Sequence, residues 1–141
     1  MILIESIAAM QAQSQQWRKD GFSIGVVPTM RALHAGHISL LELANVNVDK
    51  TIVTIFVNPT QFAPGEDLEK YPRTFESDQE LCDEFGADAI FFPTVEEMYP
   101  TDASVFISED KLSLDFCGAS RPTHFQGVVT IVAKLYNAVL P

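Results

Sequence analysis

The stretch Thr51-Ile-Val-Thr-Ile-Phe-Val57 is β-branched or apolar at every position. A strand with no polar alternation must be covered on both faces, the condition of a central strand in a parallel sheet. Asn58-Pro59 ends it. Shorter apolar runs recur at Ile2 to Ile4, Phe22 to Val27 and Asp88 to Phe92, the second broken by Pro28; Ser104 to Ser108 reads as a weaker strand. Helical spacing fills the intervals. Ser6 reads as an N-cap for a helix with Ile7, Met10, Ser14 and Trp17 on one stripe, stopped at Gly21. From Gly36 a second helix carries Ile38, Leu41 and Ala44, with Leu40 and Leu43 widening the stripe. Thr74 can cap a third, with Glu76 and Asp78 near its positive end and Leu81, Cys82 and Phe85 inward, stopped at Gly86. A last helix, capped near Thr123, carries Phe125, Val128, Val129, Val132, Leu135, Tyr136 and Val139. Strands alternating with helices predict an α/β fold, a mainly parallel sheet flanked by helices and joined by right-handed crossovers.

At 141 residues, one domain spanning 1–141 is expected. With 47% hydrophobic and 20% charged residues the composition is that of a globular chain, not a disordered one. No apolar run reaches the roughly 18 residues of a membrane span, and the N-terminal residues lack a secretory pattern. Cys82 and Cys117 fit no metal spacing and suit a reducing cytoplasm. A net charge of −10 argues against nucleic acid or an anionic membrane as partner. The acids crowd between residues 66 and 110, whereas 22–62 is nearly neutral, with Glu42 and Asp49 against Arg31 and Lys50. An anionic ligand is tolerated best in that neutral segment.

Three segments there and beyond carry chemistry. Val27-Pro28-Thr29-Met30-Arg31-Ala32-Leu33-His34-Ala35-Gly36-His37 joins a strand end to a helix start. That edge of an open α/β sheet is where ligands bind, and a helix N-terminus favours phosphate. Gly36 would let backbone approach a ligand, and His34 and His37 add donors. Taken alone, the pair also fits a hydrogen-bonded helix end or a fragment of a metal site; zinc would need further ligands, and His124 is the remaining histidine. The second segment, Phe56-Val57-Asn58-Pro59-Thr60-Gln61-Phe62, places two amides after the central strand, suited to hydroxyl and carboxylate oxygens. Its Asn58-Pro59 is equally an ordinary strand-ending turn. The third, Ala119 to Gly127, offers Arg121 to an anion or to a structural ion pair, and Arg73 in Tyr71-Pro72-Arg73-Thr74 is open to the same two readings. His124 reads as structural and Cys82 as core.

Val27-Pro28-Thr29-Met30, His34-x-Gly-His37, Ile55-Phe56-Val57-Asn58-Pro59, Gln61-Phe62, Tyr71-Pro72-Arg73-Thr74, Met98-Tyr99-Pro100 and Arg121-Pro122-Thr123-His124-Phe125 occur in the order found in the pantoate–β-alanine ligase family. The resemblance covers the whole chain. It implies a Rossmann-like nucleotidyltransferase domain of the HIGH type, here the N-terminal ATP- and pantoate-binding portion, truncated before a C-terminal domain. It implies ATP with Mg2+, and pantoate and β-alanine as substrates joined through pantoyl adenylate on the way to coenzyme A, in a cytoplasmic homodimer. Carried over by motif, His34 and His37 would be catalytic and hold ATP phosphates together with Met30 and Gly36; Gln61, Asn58 and Thr29 would bind pantoate; Arg121 and Arg73 would contact anions; no residue is a metal ligand. Arg31 departs from the family's glycine and would either obstruct the nucleotide or lend it a charge. Family members continue past this length into phosphate-binding and lid segments, so this chain alone is expected to be largely inactive; the exposed face of the last helix and the open strand edge are expected to favour self-association. Two other readings remain open: another nucleotidyltransferase with His-x-Gly-His, and a non-catalytic nucleotide-binding module.

Overall fold

The computed structural model describes residues 1–30, 32–62 and 75–141. Arg31, Arg73 and the cap expected at Thr74 lie outside the described residues. Strands β1 (Ile2–Ile4), β2 (Ile24–Thr29), β3 (Lys50–Ile55) and β4 (Ala89–Phe91) form one parallel sheet in the order β1-β4-β3-β2. Helices α1 (Ile7–Lys19), α2 (Ala35–Asn45), α3 (Phe75–Glu84), the short α4 (Val95–Met98) and α5 (Cys117–Ser120), and α6 (His124–Val139) surround it. The expected central strand is central: β3 lies between β2 and β4, and all its residues after Lys50 are buried. Side chains of a strand alternate between faces. Ile52, Phe56, Ala89 and Phe91 therefore join Met10, Trp17, Leu135 and Val139 in one core layer. Val53, Ile55 and Ile90 join Val27, Leu41 and Cys82 in the other. The first layer packs under α1 and α6, the second under α2 and α3.

Several boundaries follow their sequence signals. Ser6 caps α1, its hydroxyl accepting from the Ala9 N–H, and Met10, Ser14 and Trp17 are its buried stripe. Gly21 and Gly86, which follow α1 and α3, sit at φ +89 and +79. Lys50 pairs with Asp88 at 2.7 Å, and Asp88 also takes the Thr51 N–H, tying the starts of β3 and β4 together.

Four expectations need correction. Pro28 does not break β2; the strand runs through it, registered opposite Thr54. β2 is an edge strand, where a missing N–H interrupts no ladder on its open side. Leu40 and Leu43 do not widen a buried stripe but are 51% and 59% exposed. They overhang that open edge and line a groove with Gly25, Val26, Pro28 and Val48. Residues 104–108 form no strand. Instead the Thr130 hydroxyl of α6 accepts from the Ile107 N–H at 2.9 Å and donates to its carbonyl at 3.2 Å, holding an extended segment without a sheet partner. Thr123 precedes α6 but its side chain makes no capping bond. Among the described residues no helix is long and apolar enough to cross a membrane.

Candidate functional site

The ends of β2 and β3 deliver their loops to the same sheet edge. There a cavity of about 330 Å³ opens. Its polar rim is Thr29, Met30, His37, Asn58 and Gln61; its apolar wall is Phe56 with Val128, Ile131, Val132 and Leu135 from α6. The two segments chosen from sequence thus meet at one site, and α6 supplies the wall that neither contains.

His34 is the N-cap of α2. Its Nδ1 accepts from the Gly36 N–H at 3.1 Å, and Nδ1 of His37 lies 3.4 Å from the His34 N–H. The rings are 4.1 Å apart, tilted by 46°. The His37 and Ile38 N–H groups bond the His34 carbonyl at 2.8 and 3.1 Å. The backbone donors of this turn that sequence offered to a phosphate are therefore largely used internally. What remains is imidazole: a neutral ring whose Nδ1 accepts must carry its proton on Nε2. Burial pushes the His37 imidazole below its ordinary value, His34 beside it adds to this, and Asp78 opposes it. His37 is thus a neutral Nε2–H donor at neutral pH. Gly36 also fits tightly beside the capping ring. A Cβ there would lie 3.0 Å from Cε1 and 3.2 Å from Nδ1 of His34; the glycine makes room for the capping ring.

Asn58, 1% exposed, is a node and not an open amide. Its Nδ2 donates to Oε1 of Gln61 and to the Gly127 carbonyl, both at 3.1 Å. Its Oδ1 accepts from the Tyr99 hydroxyl at 2.9 Å and from the Thr60 hydroxyl at 3.0 Å. Burial pushes the Tyr99 phenol up, against the pull of its bonds to Thr60 and Asn58. Gln61 is held by Asn58 on one side, and its Nε2 faces Sδ of Met30 on the other. A thioether is a weak acceptor, so a ligand oxygen can displace it. The Thr29 hydroxyl donates to the Thr54 carbonyl at 2.8 Å, leaving it acceptor capacity only. Arg121 lies away from the cavity lining, one guanidinium N–H on the Gln61 carbonyl at 3.0 Å. His124 Nδ1 shares that carbonyl at 2.9 Å, and because a carbonyl only accepts, His124 carries its proton on Nδ1, opposite to the other two histidines.

Sequence reasoning missed two contributors. Gly127 lets α6 lie against the turn at 59–61: a Cβ there would meet the Thr60 carbonyl oxygen at 2.7 Å and the Gln61 nitrogen at 2.8 Å. Asp78 was assigned to the helix dipole, yet it is 1% exposed and grips the Ala32 and Leu33 N–H groups. The available signal was its spacing, four residues before Cys82 and seven before Phe85, which puts a carboxylate on an apolar stripe. Cys82 is core as expected, its thiol pushed up to about 11 by burial and by Asp78.

A sequence profile described as pantoate-beta-alanine ligase matches residues 2–141. The pantothenate synthetase of Thermotoga neapolitana is 52% identical over 141 residues, all of this chain and 50% of that protein. That of Hydrogenovibrio crunogenus is 50% identical over 143 residues, again 50% of its length. The crystal structure of pantothenate synthetase from Thermus thermophilus superposes with a TM-score of 0.91 at 41% identity, covering 100% of this chain and 50% of that one. The pantoate-beta-alanine ligase of Francisella tularensis, crystallised in complex with beta-gamma ATP and beta-alanine, superposes with a TM-score of 0.93 at 37% identity, covering 100% and 54%. The chain spans about half the length of the curated relatives it matches. The parallel sheet with its flanking helices is the Rossmann-like nucleotidyltransferase fold of these neighbours, and with the profile running through residues 2–141 the chain belongs to the pantoate–β-alanine ligase family.

Proposed function

We propose that this chain supplies the nucleotide- and pantoate-binding part of an ATP-dependent ligase that condenses pantoate with β-alanine to pantothenate, a precursor of coenzyme A. The carrying observation is that His37 and Gln61, from different loops, line one cavity at the strand ends. The Nε2–H groups of His34 and His37 donate to nucleotide phosphate oxygens and to the charge that develops there during transfer. Met30 and the turn at Gly36 border the nucleotide. Gln61 binds an oxygen of pantoate in exchange for the Met30 sulfur, Asn58 holds Gln61 in place, and Thr29 offers an acceptor. The α6 wall of Val128, Ile131 and Val132 suits the branched apolar carbon of a dimethyl hydroxy acid.

In this reading a carboxylate oxygen of pantoate forms a bond to the α-phosphorus as the bond to the β-phosphate bridge breaks, releasing pyrophosphate. The amine of β-alanine then bonds the acyl carbon, loses its proton, and AMP leaves with the former carboxylate oxygen. No protein nucleophile is needed; orientation and electrostatics lower the barrier. The Francisella relative, crystallised with beta-gamma ATP and beta-alanine, supports these two ligands. Mg2+ would accompany the nucleotide. No group of three or more His, Cys, Asp or Glu among the described residues could hold a metal, and the cavity lining contains no carboxylate. The described residues therefore do not fit a protein-held ion, and no step is assigned to one.

A cytoplasmic setting and a homodimer belong to the same proposal. The free Cys82 and Cys117 support the first, and the exposed Phe106, Leu112, Leu114 and Phe116 the second. Arg121 is proposed to brace Gln61, with an anion contact as its second role; Arg73 keeps the anion role read from its motif. Among the described residues the cavity lining includes no Lys or Arg, and we expect this 141-residue chain by itself to bind ligands with little or no turnover. The test is calorimetric titration with ATP–Mg2+ and with pantoate, alongside pyrophosphate release. Binding of both, lost in His37→Ala and Gln61→Ala respectively, supports the assignment. Absence of both bindings overturns it, and robust pyrophosphate release overturns the expectation of low turnover.

A further inference from the structure

Asp78 belongs to α3, yet its buried carboxylate reaches across to the turn that follows β2. Oδ2 accepts from the Ala32 N–H at 3.0 Å and Oδ1 from the Leu33 N–H at 2.8 Å. Ala32 stands at φ 53, in the left-handed region. A non-glycine residue persists there only where its surroundings hold it. The next N–H, that of His34, meets Nδ1 of His37, and the Gly36 N–H meets Nδ1 of His34. One carboxylate and two imidazoles thus satisfy the N–H groups of Ala32, Leu33, His34 and Gly36 in series. Asp78 does not line the cavity.

The geometry points to Asp78 as a positioning residue: by clamping Ala32 and Leu33 it holds the turn in the one conformation where both imidazoles keep Nδ1 on the backbone and present Nε2–H as donor to phosphate. The phosphate part rests on the function proposed above; the clamp itself does not. A scaffold carboxylate of this kind acts through alignment, fixing a donor before the ligand arrives. Asp78 also acts through space. It favours the protonated form of His37, against burial and His34, and it disfavours the Cys82 thiolate. A group with a purely mechanical role would leave the His37 titration where it is.

The experiment is ¹⁵N NMR of the whole chain and its Asp78→Asn variant, following the Ala32 and Leu33 amides and the imidazole nitrogens across pH, with ATP–Mg2+ titrated into both. In the parent chain, slow exchange at the two amides and Nε2–H tautomers at His34 and His37 are expected. In the folded variant the two amides exchange at least about tenfold faster, the Nε2–H tautomers lose population, His37 titrates at lower pH, and ATP binding weakens roughly tenfold, as for loss of charge-assisted bonds that align a ligand group. Unchanged amides or unchanged tautomers in a folded Asp78→Asn chain overturn the proposal. Fast exchange at Ala32 and Leu33 in the parent chain overturns it as well, without needing a stable variant. Failure of the parent chain to bind ATP refutes the phosphate assignment instead, and the tautomer result still decides the clamp.

Discussion

Gly127 and His37 show how single residues set this site. At Gly127 a methyl group would collide with main-chain atoms of Thr60 and Gln61, which cannot swing aside as a flexible side chain can. Overpacking of this kind costs about 1–3 kcal/mol, and alanine's better helix propensity returns about 1. Gly127→Ala is expected to destabilise by about 0–2 kcal/mol in urea melts and to weaken pantoate binding by shifting Gln61; an unchanged melt together with unchanged pantoate binding refutes the close approach. His37 carries a pH signature. Its folded-state value is lowered, so the unfolded chain binds more protons in the interval between that value and about 6.5. Its contribution to stability is fully present above about pH 6.5 and is lost as pH falls through that interval. Protonation puts a proton on Nδ1, which then no longer accepts from the His34 N–H. Between pH 7 and 5 the melting temperature of the parent chain should therefore fall further than that of His37→Gln, measured side by side so that other groups cancel.

At the scale of elements, two connections lean on side chains where a ladder would serve elsewhere. The turn at Pro59–Gln61 is organised by Asn58, whose amide joins it to Tyr99 and to α6. Asn58→Ala leaves the Tyr99 hydroxyl and the Gly127 carbonyl without this partner, with an expected loss of about 2–3 kcal/mol. Tyr99→Phe removes one bond and should cost about 1 kcal/mol. Equal losses in chemical denaturation would contradict the node. Segment 104–108 hangs on the Thr130 hydroxyl. Thr130→Val preserves the shape and removes both bonds. Hydrogen exchange at the Ile107 amide should then accelerate to the rate of an open loop while the β3 amides stay protected; continued protection would mean that something else holds the segment.

For the molecule as a whole, apolar exposure and charge oppose one another. Phe116 is 95% exposed, and Leu112, Leu114, Phe106 and Val105, earlier in the same segment of chain, are exposed as well. Apolar exposure on this scale favours association, whereas a net charge of −10 repels like copies. Salt screens the repulsion and leaves the apolar contact in place. Sedimentation equilibrium should therefore show self-association that strengthens with ionic strength. A clean monomer at high concentration and high salt would rule out the proposed dimer.

The amino-acid sequence by itself determined the α/β class, the central placement of β3, the caps at Ser6, Gly21 and Gly86, and the two loops that carry His34, His37, Asn58 and Gln61. These are local matters: hydrophobic period, β-branching and turn chemistry act within a few residues of chain. The tertiary structure decided the rest. Pro28 stays inside a strand because β2 is an edge; Leu40 and Leu43 are exposed because α2 overhangs it; residues 104–108 find a helix hydroxyl and no strand. Asn58 proved to be occupied, Gly127 a contact point and Asp78 a clamp, each through partners far away in sequence. Which groups remain free to meet a ligand depends on what those distant partners have already taken, and spacing along the chain carries no record of that.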